Sequence, residues 1–253
     1  MAIFDDTLTD IVIVNFNTRN YLADCVQSII EHTKANTYRI WVIDNASTDD
    51  SVQWIRARAT VHGIFNQKNI GYGAACNQGI KAGNGEYIFL FNSDIRVTPN
   101  WLIPMIRILK SSSRIAVVGP KLVNEDSLIV GAGVVGTHLH PIIRGWGQPD
   151  LPNRYHQVTE CLSIGGSCMG IKRKLLSELG FFDENFFHYF EETDYCYNAR
   201  AHGYKVIYCP TSKVIHRVNG SCHDQPKLMT YYEQSKTYFY KKWKEFLTDP
   251  VIK

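Results

Sequence analysis

The sequence predicts an α/β domain: a mainly parallel central sheet with helices on both faces, followed by a C-terminal helical appendage. Three observations predict it. Continuous apolar runs recur at 11–16 (IVIVNF), 40–44 (IWVID) and 87–91 (YIFLF), the signature of strands covered on both faces. Segments of helical periodicity lie between them, and this βαβα alternation over 10–112 implies parallel pairing. Each run also ends in polar residues: Asn15 and Asn17, Asp44 and Asn45, and Asn92, Ser93 and Asp94. Ligands of such sheets bind at the carboxyl ends of the strands, so three polar exits gathered on one edge are the first functional signal.

Each element has a local reason. After the first strand, Asn17 or Thr18 offers a cap, and Leu22, Cys25, Val26, Ile29 and Ile30 mark one apolar helical face. After the second, Asn45, Ser47 and Thr48 supply cap oxygens, and Asp49 and Asp50 suit the positive end of a helix running through Val52, Trp54 and Ile55. A short strand at 61–65 and a helix at 72–82 follow. Thr98 as cap and Pro99 at the first helical position then open a helix carrying Trp101, Leu102, Met105, Ile106 and Leu109.

Beyond residue 115 the pattern loosens. IAVVGPKLV and LIVGAGVV read as strands, and 136–157, rich in Gly, Pro and His, reads as a long loop of the kind that is usually functional. SIGGSCMGIKR at 163–173 reads as a strand entering a helix. A helix from Phe190 to His202 is closed by Gly203, two short strands (YKVIYCP and KVIHRV) follow, and 227–247 reads as a helix dense in aromatics and lysines. The expected organisation is one domain over 1–226, with halves at about 10–112 and 113–226, and a C-terminal segment over 227–253.

Composition narrows the function. The 253 residues carry 27 Lys and Arg against 24 Asp and Glu, a net charge of +3, which excludes a dedicated nucleic-acid binder. At 45% hydrophobic and 20% charged, the chain is an ordinary globular one, long enough for a full core. Its seven cysteines form no CxxC pair, which argues for buried reduced thiols in a cytoplasmic protein. MAIFDDTLTD has no apolar signal-peptide region, and no apolar run approaches the roughly 18 residues of a membrane span.

Taken one at a time, the chemical constellations have ordinary readings too. Asn92-Ser93-Asp94 on a strand end could hold a divalent metal against a diphosphate, although its spacing fits an Asx turn better. Glu191, Glu192 and Asp194 follow the aromatic run FFHYF. Desolvation and crowding there would raise a carboxyl toward general-base range, and an acidic first helical turn is an equal reading. His216 after KVI is a metal ligand or a structural histidine. Gly71-Tyr72-Gly73 is not a dinucleotide fingerprint, because Cys76 stands where the third glycine belongs, and no GK[ST] occurs.

Together these segments resemble one family. IVIVNFNTRNYLADCVQSI, VIDNASTDDSV, NIGYGAACNQGI, GEYIFLFNSD, GFFDENFFHYFEETDYCYNARAHGYKV and VIHRVNGS are similar, in order and spacing over 10–221, to the family 2 inverting glycosyltransferases of GT-A fold. The rhamnosyltransferase-like branch is nearest, since NSD stands where other branches carry DxD and YF precedes the acidic motif.

The resemblance implies a role for each matched position. Asp44 would accept from the pyrimidine N3–H of a nucleotide donor, with Asn15 and Asn17 lining the base and ribose pocket. Asn69, Gly71 and Asn77 would pack under the nucleotide, and Asn92 and Ser93 would belong to the donor site. Asp94, joined by His216, would hold a divalent metal, Mn2+ or Mg2+. Glu191-Glu192 would be the acidic pair whose second member is the catalytic base.

Two departures stand out. Glu192 is one methylene longer than the family Asp, and Asn92 removes a carboxylate, which leaves metal dependence open. The implied function moves a sugar, rhamnose from dTDP-rhamnose first, from a dTDP- or UDP-linked donor to a glycan or lipid-linked glycan in cell-surface polysaccharide synthesis. A non-catalytic sugar-nucleotide or glycan-binding module is the alternative. The aromatic, lysine-rich stretch YYEQSKTYFYKKWKEFL at 231–247 either packs on the core or lies on the inner face of an anionic membrane. Homo-oligomerisation is left open.

Overall fold

A computed structural model describes residues 8–217 and 225–248. Most of MAIFDDTLTD, the VNGS end of the last motif and Cys222 lie outside the described residues. The elements in chain order are β1 (Thr9–Asn15), α1 (Arg19–His32), β2 (Tyr38–Asp44), α2 (Ser51–Arg56), β3 (Val61–Phe65), α3 (Tyr72–Ala82), β4 (Tyr87–Asn92) and β5 (Ile95–Val97). There follow α4 (Leu102–Ser111), β6 (Ile115–Val123), β7 (Ile129–Gly131), β8 (Val134–Gly136), β9 (Pro141–Ile143) and β10 (Thr159–Glu160). The last are β11 (Cys168–Lys172), α5 (Leu176–Leu179), α6 (Glu191–Ala201), β12 (Lys205–His216) and α7 (Gln225–Lys242).

The described residues form one ten-stranded sheet in the order β10-β12-β6-β11-β4-β1-β2-β3, with β5 added to β12 and β7 to β6, and a separate β8-β9 ribbon. The predicted strands are the parallel heart of it: β1 pairs in parallel with both β2 and β4, and β2 with β3. β11 runs antiparallel between β4 and β6. Their apolar side chains fill both faces. Ile11, Ile13, Phe89 and Phe91 pack toward α1 and α4, and Val12, Ile88 and Leu90 toward α3 and α6. That two-sided burial explains why the strands read as continuous apolar runs.

Trp101 anchors one face. It is fully buried, sits edge-on to Phe89 with ring centroids 5.5 Å apart, and donates its indole N–H to Thr33 Oγ1 at 3.0 Å. Trp101→Ala therefore leaves a large cavity and is expected to cost about 3–5 kcal/mol. Chemical denaturation checks this; a loss under about 1 kcal/mol would contradict the packing described.

Several elements differ from the sequence reading. Thr98 and Pro99 do not open α4, because Asn100 adopts a left-handed φ of 63° and delays the helix to Leu102; Thr98 Oγ1 donates instead to the Lys213 carbonyl. Ile30 keeps its helical spacing but is exposed. LIVGAGVV breaks at Gly133, whose φ is +82°, into β7 and β8. The loop read at 136–157 contains β9, which returns antiparallel to β8. The two strands read near the end are one, β12, with a register shift between Cys209 and Lys213 that absorbs Pro210. The six cysteines in the described residues are buried free thiols.

α7 settles on the domain by its aromatic side. Phe239 packs on Phe190 and Tyr197, Tyr238 on Phe186, and Trp243 donates to Asp194 Oδ1 at 2.8 Å. These aromatics are engaged in packing, and Met229 is a large apolar side chain that α7 exposes. Among the described residues no helix is long and apolar enough to cross a membrane.

Candidate active site

The parallel register brings the predicted strand exits together: Asn15 lies opposite Asp44, and Val14 opposite Asn92. A hydrogen-bond network joins them. Asn15 Nδ2 donates to Asp44 Oδ2 at 2.9 Å and to Ser47 Oγ at 3.1 Å, and the Ser47 N–H donates to Asp44 Oδ1 at 2.9 Å. Thr18 Oγ1 donates to Asn15 Oδ1 at 2.7 Å and lies 2.6 Å from Ser93 Oγ, which ties β1 to the end of β4. Asn17, at φ 55°, caps no helix of its own. Its Oδ1 accepts from the Thr48 N–H at 2.6 Å and so fixes the loop after β2. Thr18 and Ser47 carry this network instead of capping through their side chains, and Asp49 serves both helices: its Oδ2 accepts from the Arg19 N–H that opens α1 and its Oδ1 from the Ser51 N–H that opens α2, each at 3.1 Å.

Asn69, Gly71 and Asn77 are tied to this edge through Asn45, whose Nδ2 donates to the Gly71 carbonyl at 3.2 Å. Asn69 Oδ1 accepts from the Gly71 N–H at 3.0 Å. Gly71, at φ +90°, passes so close to the Phe187 carbonyl that a Cβ would collide with its oxygen. Asn77 Nδ2 donates to the Phe182 carbonyl and to Glu184 Oε1, both at 2.9 Å, and its Oδ1 accepts from the Phe182 N–H at 3.0 Å. Asn77 is buried, so its amide is a clamp for the 182–184 turn rather than a group facing the strand exits. Its partner lies 105 residues away, which is why no local signal revealed this.

Asp94 is buried in the two-residue turn between β4 and β5. Antiparallel pairing of β5 with β12 sets His216 opposite Ile95 and brings its Nε2 to 3.4 Å from Asp94 Oδ1. Among the described residues no three His, Cys, Asp or Glu side chains gather to hold a metal alone. One carboxylate and one imidazole fit a divalent cation that completes its shell with phosphate oxygens and water, rather than a closed structural site.

The acidic pair sits on the first turn of α6. Just before it, Tyr189 and Phe190 both adopt a left-handed φ of 68°. Such conformations in bulky residues cost of order 1–3 kcal/mol each and persist only where surrounding structure enforces them. α7 enforces this one: Ser235 Oγ donates to the His188 carbonyl at 2.8 Å, and Tyr232 and Phe239 pack on Phe190. The turn aims the two carboxyls differently.

Glu191 points inward against Gly73 and is buried, and among the described residues its Oε2 finds no hydrogen bond. Glu192 is half-buried and lies against Gly166, where a Cβ would stand 3.2 Å from Glu192 Cγ. Gly166 belongs to the strap before β11, held by Tyr72 Oη donating to its carbonyl at 2.9 Å and by the Asn92 N–H donating to the Ser167 carbonyl at 3.2 Å. That strap links the β4 exit to Glu192. Tyr72 and Gly166 escaped sequence reading because nothing local marks them.

Burial, reinforced by the Glu192 charge, holds the Glu191 carboxyl well above the usual carboxylate range, and burial raises Glu192 as well. A carboxyl raised in the folded state binds its proton longer than the unfolded chain does, so Glu191 costs stability as pH climbs from its unfolded value through its folded one. Glu191→Gln removes that loss. Its Tm at pH 8 is expected to exceed wild type by about 2–4 °C, roughly 1 kcal/mol, with the difference closing near pH 4. An unchanged Tm difference across pH would contradict the burial of an ionisable Glu191.

The sheet order and the helices around it make this a GT-A-type α/β domain, with its polar strand exits gathered on one edge. The chain belongs to the Glycosyl transferase family 2, whose model matches residues 10–180. It is 26% identical over 230 residues to the low-salt glycan biosynthesis hexosyltransferase Agl10 of Haloferax volcanii, covering 89% of this chain and 70% of that one. It is 22% identical over 228 residues to the N-acetylglucosaminyl-diphospho-decaprenol L-rhamnosyltransferase of Mycobacterium tuberculosis, covering 79% and 73%. In fold it is similar to GalNAc-T7 crystallised with UDP, GalNAc and Mn2+, at a TM-score of 0.69 and 20% identity, covering 92% of this chain and half of that one.

Proposed function

We propose that this chain transfers a hexosyl group, with rhamnose from dTDP-rhamnose the first donor to test, to a hydroxyl of a glycan or lipid-linked glycan with inversion at the anomeric carbon. The observation that carries this reading is Glu192: a raised carboxyl, half-open to solvent, set by a strained turn beside the strand exits and the Gly166 strap. A sugar hydroxyl is a weak nucleophile, so a positioned base must take its proton as it attacks. Glu192 takes that proton on its carboxylate; Glu191, sealed beneath, acts as a positioning residue. The attack arrives opposite the leaving nucleoside diphosphate, hence inversion.

Asp44 holds the base of the donor in this proposal. A carboxylate has about four acceptor sites and protein donors use two of them on Asp44, which leaves capacity for a pyrimidine N3–H. Asn15 and Asn17 shape the pocket wall, and Asn92 and Ser93 the floor next to the diphosphate. A divalent cation, Mn2+ or Mg2+, would be held by Asp94 and His216, and when bound it supplies a Lewis acid for the charge developing on the diphosphate. Asn69, Gly71 and Asn77 keep the edge in shape from below. The mycobacterial relative's name supports a rhamnosyl donor and a lipid-linked acceptor, and the family supports the reaction type.

A thermal-shift panel of UDP, dTDP, GDP and CMP, each with and without Mn2+ or Mg2+, tests the donor half. At 100 times its Kd, a ligand of the folded state stabilises it by about 2.7 kcal/mol. A shift with dTDP or UDP that grows with metal is expected. No shift with any of the four would sink the donor assignment.

A further inference from the structure

The far edge of the same sheet carries a second polar feature. Tyr87 begins β4 and Lys172 ends the antiparallel β11 beside it, so the length of β4, roughly 17 Å at about 3.3 Å per residue, separates this edge from the strand exits. Between these strand ends and the C-terminus of α4 lies a cavity of about 320 Å³, lined among others by Glu86, Tyr87, Lys110, Ser112, Lys172 and Lys174. That volume falls at the lower end of the roughly 300–1,000 Å³ typical of small-molecule sites.

Lys172 is the unusual member. It is only 4% exposed, yet an ammonium has three donors and is costly to bury unless paired. Its Nζ donates to the Ser112 carbonyl at 2.6 Å; among the described residues no carboxylate lies within ion-pair distance of it, and it has no further hydrogen bond. Lys110 and Lys174 add positive charge at the exposed rim, against the single acid Glu86. The floor is therefore a buried cation with donor capacity to spare, opening on a cavity whose lining is net positive.

We propose that this cavity binds the phosphate group of a small anionic metabolite, with Lys172 as the buried contact and Lys110 and Lys174 as rim cations. A phosphate oxygen accepts well from a point-charge ammonium, and a recess with its cation at the floor suits a free solute better than a lipid headgroup held at a bilayer. Burial and the charge of Lys174 together push Lys172 down to about 8, with Glu86 opposing. An anion entering the cavity holds that amine charged.

The test is an NMR titration of the full chain with inorganic phosphate in chloride buffer. The expected result is saturable movement of the backbone amides of 110–113 and 172–174, with affinity at least tenfold weaker in Lys172→Met and reduced in Lys174→Ala. Lys172→Met exchanges a buried amine for an apolar side chain of similar length, and an unchanged thermal shift with the donor nucleotide shows that it is folded. Movement confined to the strand-exit edge, or undiminished in Lys172→Met, would overturn the site. Co-sedimentation with anionic phospholipid vesicles that Lys172→Met abolishes, without saturable inorganic phosphate binding, would overturn the solute assignment.

Discussion

Replacing Glu192 by Gln is expected to lower kcat by 10²–10⁴-fold while leaving nucleotide affinity within about twofold of wild type. The amide keeps the shape of the side chain against Gly166 but cannot accept a proton, and loss of a general base carries a cost of that size. The two readouts separate roles: a fall in kcat with donor binding intact removes an interaction made only in the transition state. In wild type the rate should rise with pH as Glu192 ionises, with a midpoint above the usual carboxylate range because burial raises this carboxyl. The profile belongs to the Glu191–Glu192 pair rather than to one acid. Turnover near wild type in Glu192→Gln would remove Glu192 from the chemistry.

Asp94→Ala carries the second large effect. Asp94 is the carboxylate of the pair it forms with His216, and without it one imidazole remains to meet the cation. Metal-enhanced binding of dTDP or UDP should fall at least 10- to 100-fold, since loss even of an outer partner of a metal ligand typically costs that much. Nucleotide binding measured without metal should change little, because Asn15, Asp44 and Ser47 keep their mutual bonds. Titrations with and without Mn2+ decide it. An equal loss in both would mean that Asp94 shapes the nucleotide pocket instead of holding a cation, and no loss in either would end its part in donor binding.

What could be read in advance follows physical lines. β1, β2 and β4 were legible because strands buried on both faces must be apolar throughout, so their polar ends stand out. Asn15, Asp44 and Asp94 lie where the sequence puts them for that reason. The turn at Tyr189 and Phe190 was not legible. Neither residue favours a left-handed backbone, and the contacts that enforce it come from α7, Ser235 standing 47 residues beyond His188. Asn77 is similar: resemblance placed it under the nucleotide, and its amide is spent on the turn at Phe182. β9 hid in a Gly- and Pro-rich stretch, and β12 was divided in two because Pro210 reads as a strand end until a bulge accommodates it. Lys172 gave no signal at all, since a lysine closing an apolar strand reads as a solvated end.

The role proposed for Glu192 is that of the base which makes this chain an inverting transferase and not a carrier of sugar nucleotides. It is tested most directly by incubating wild type and Glu192→Gln with dTDP-rhamnose and a lipid-linked N-acetylglucosamine acceptor, then assigning the product's anomeric configuration by NMR. The predicted result is a glycoside of configuration opposite to the donor's, formed by wild type and lost in Glu192→Gln. A product that retains the donor configuration, or tight dTDP binding with no transfer to any glycan acceptor offered, would contradict it.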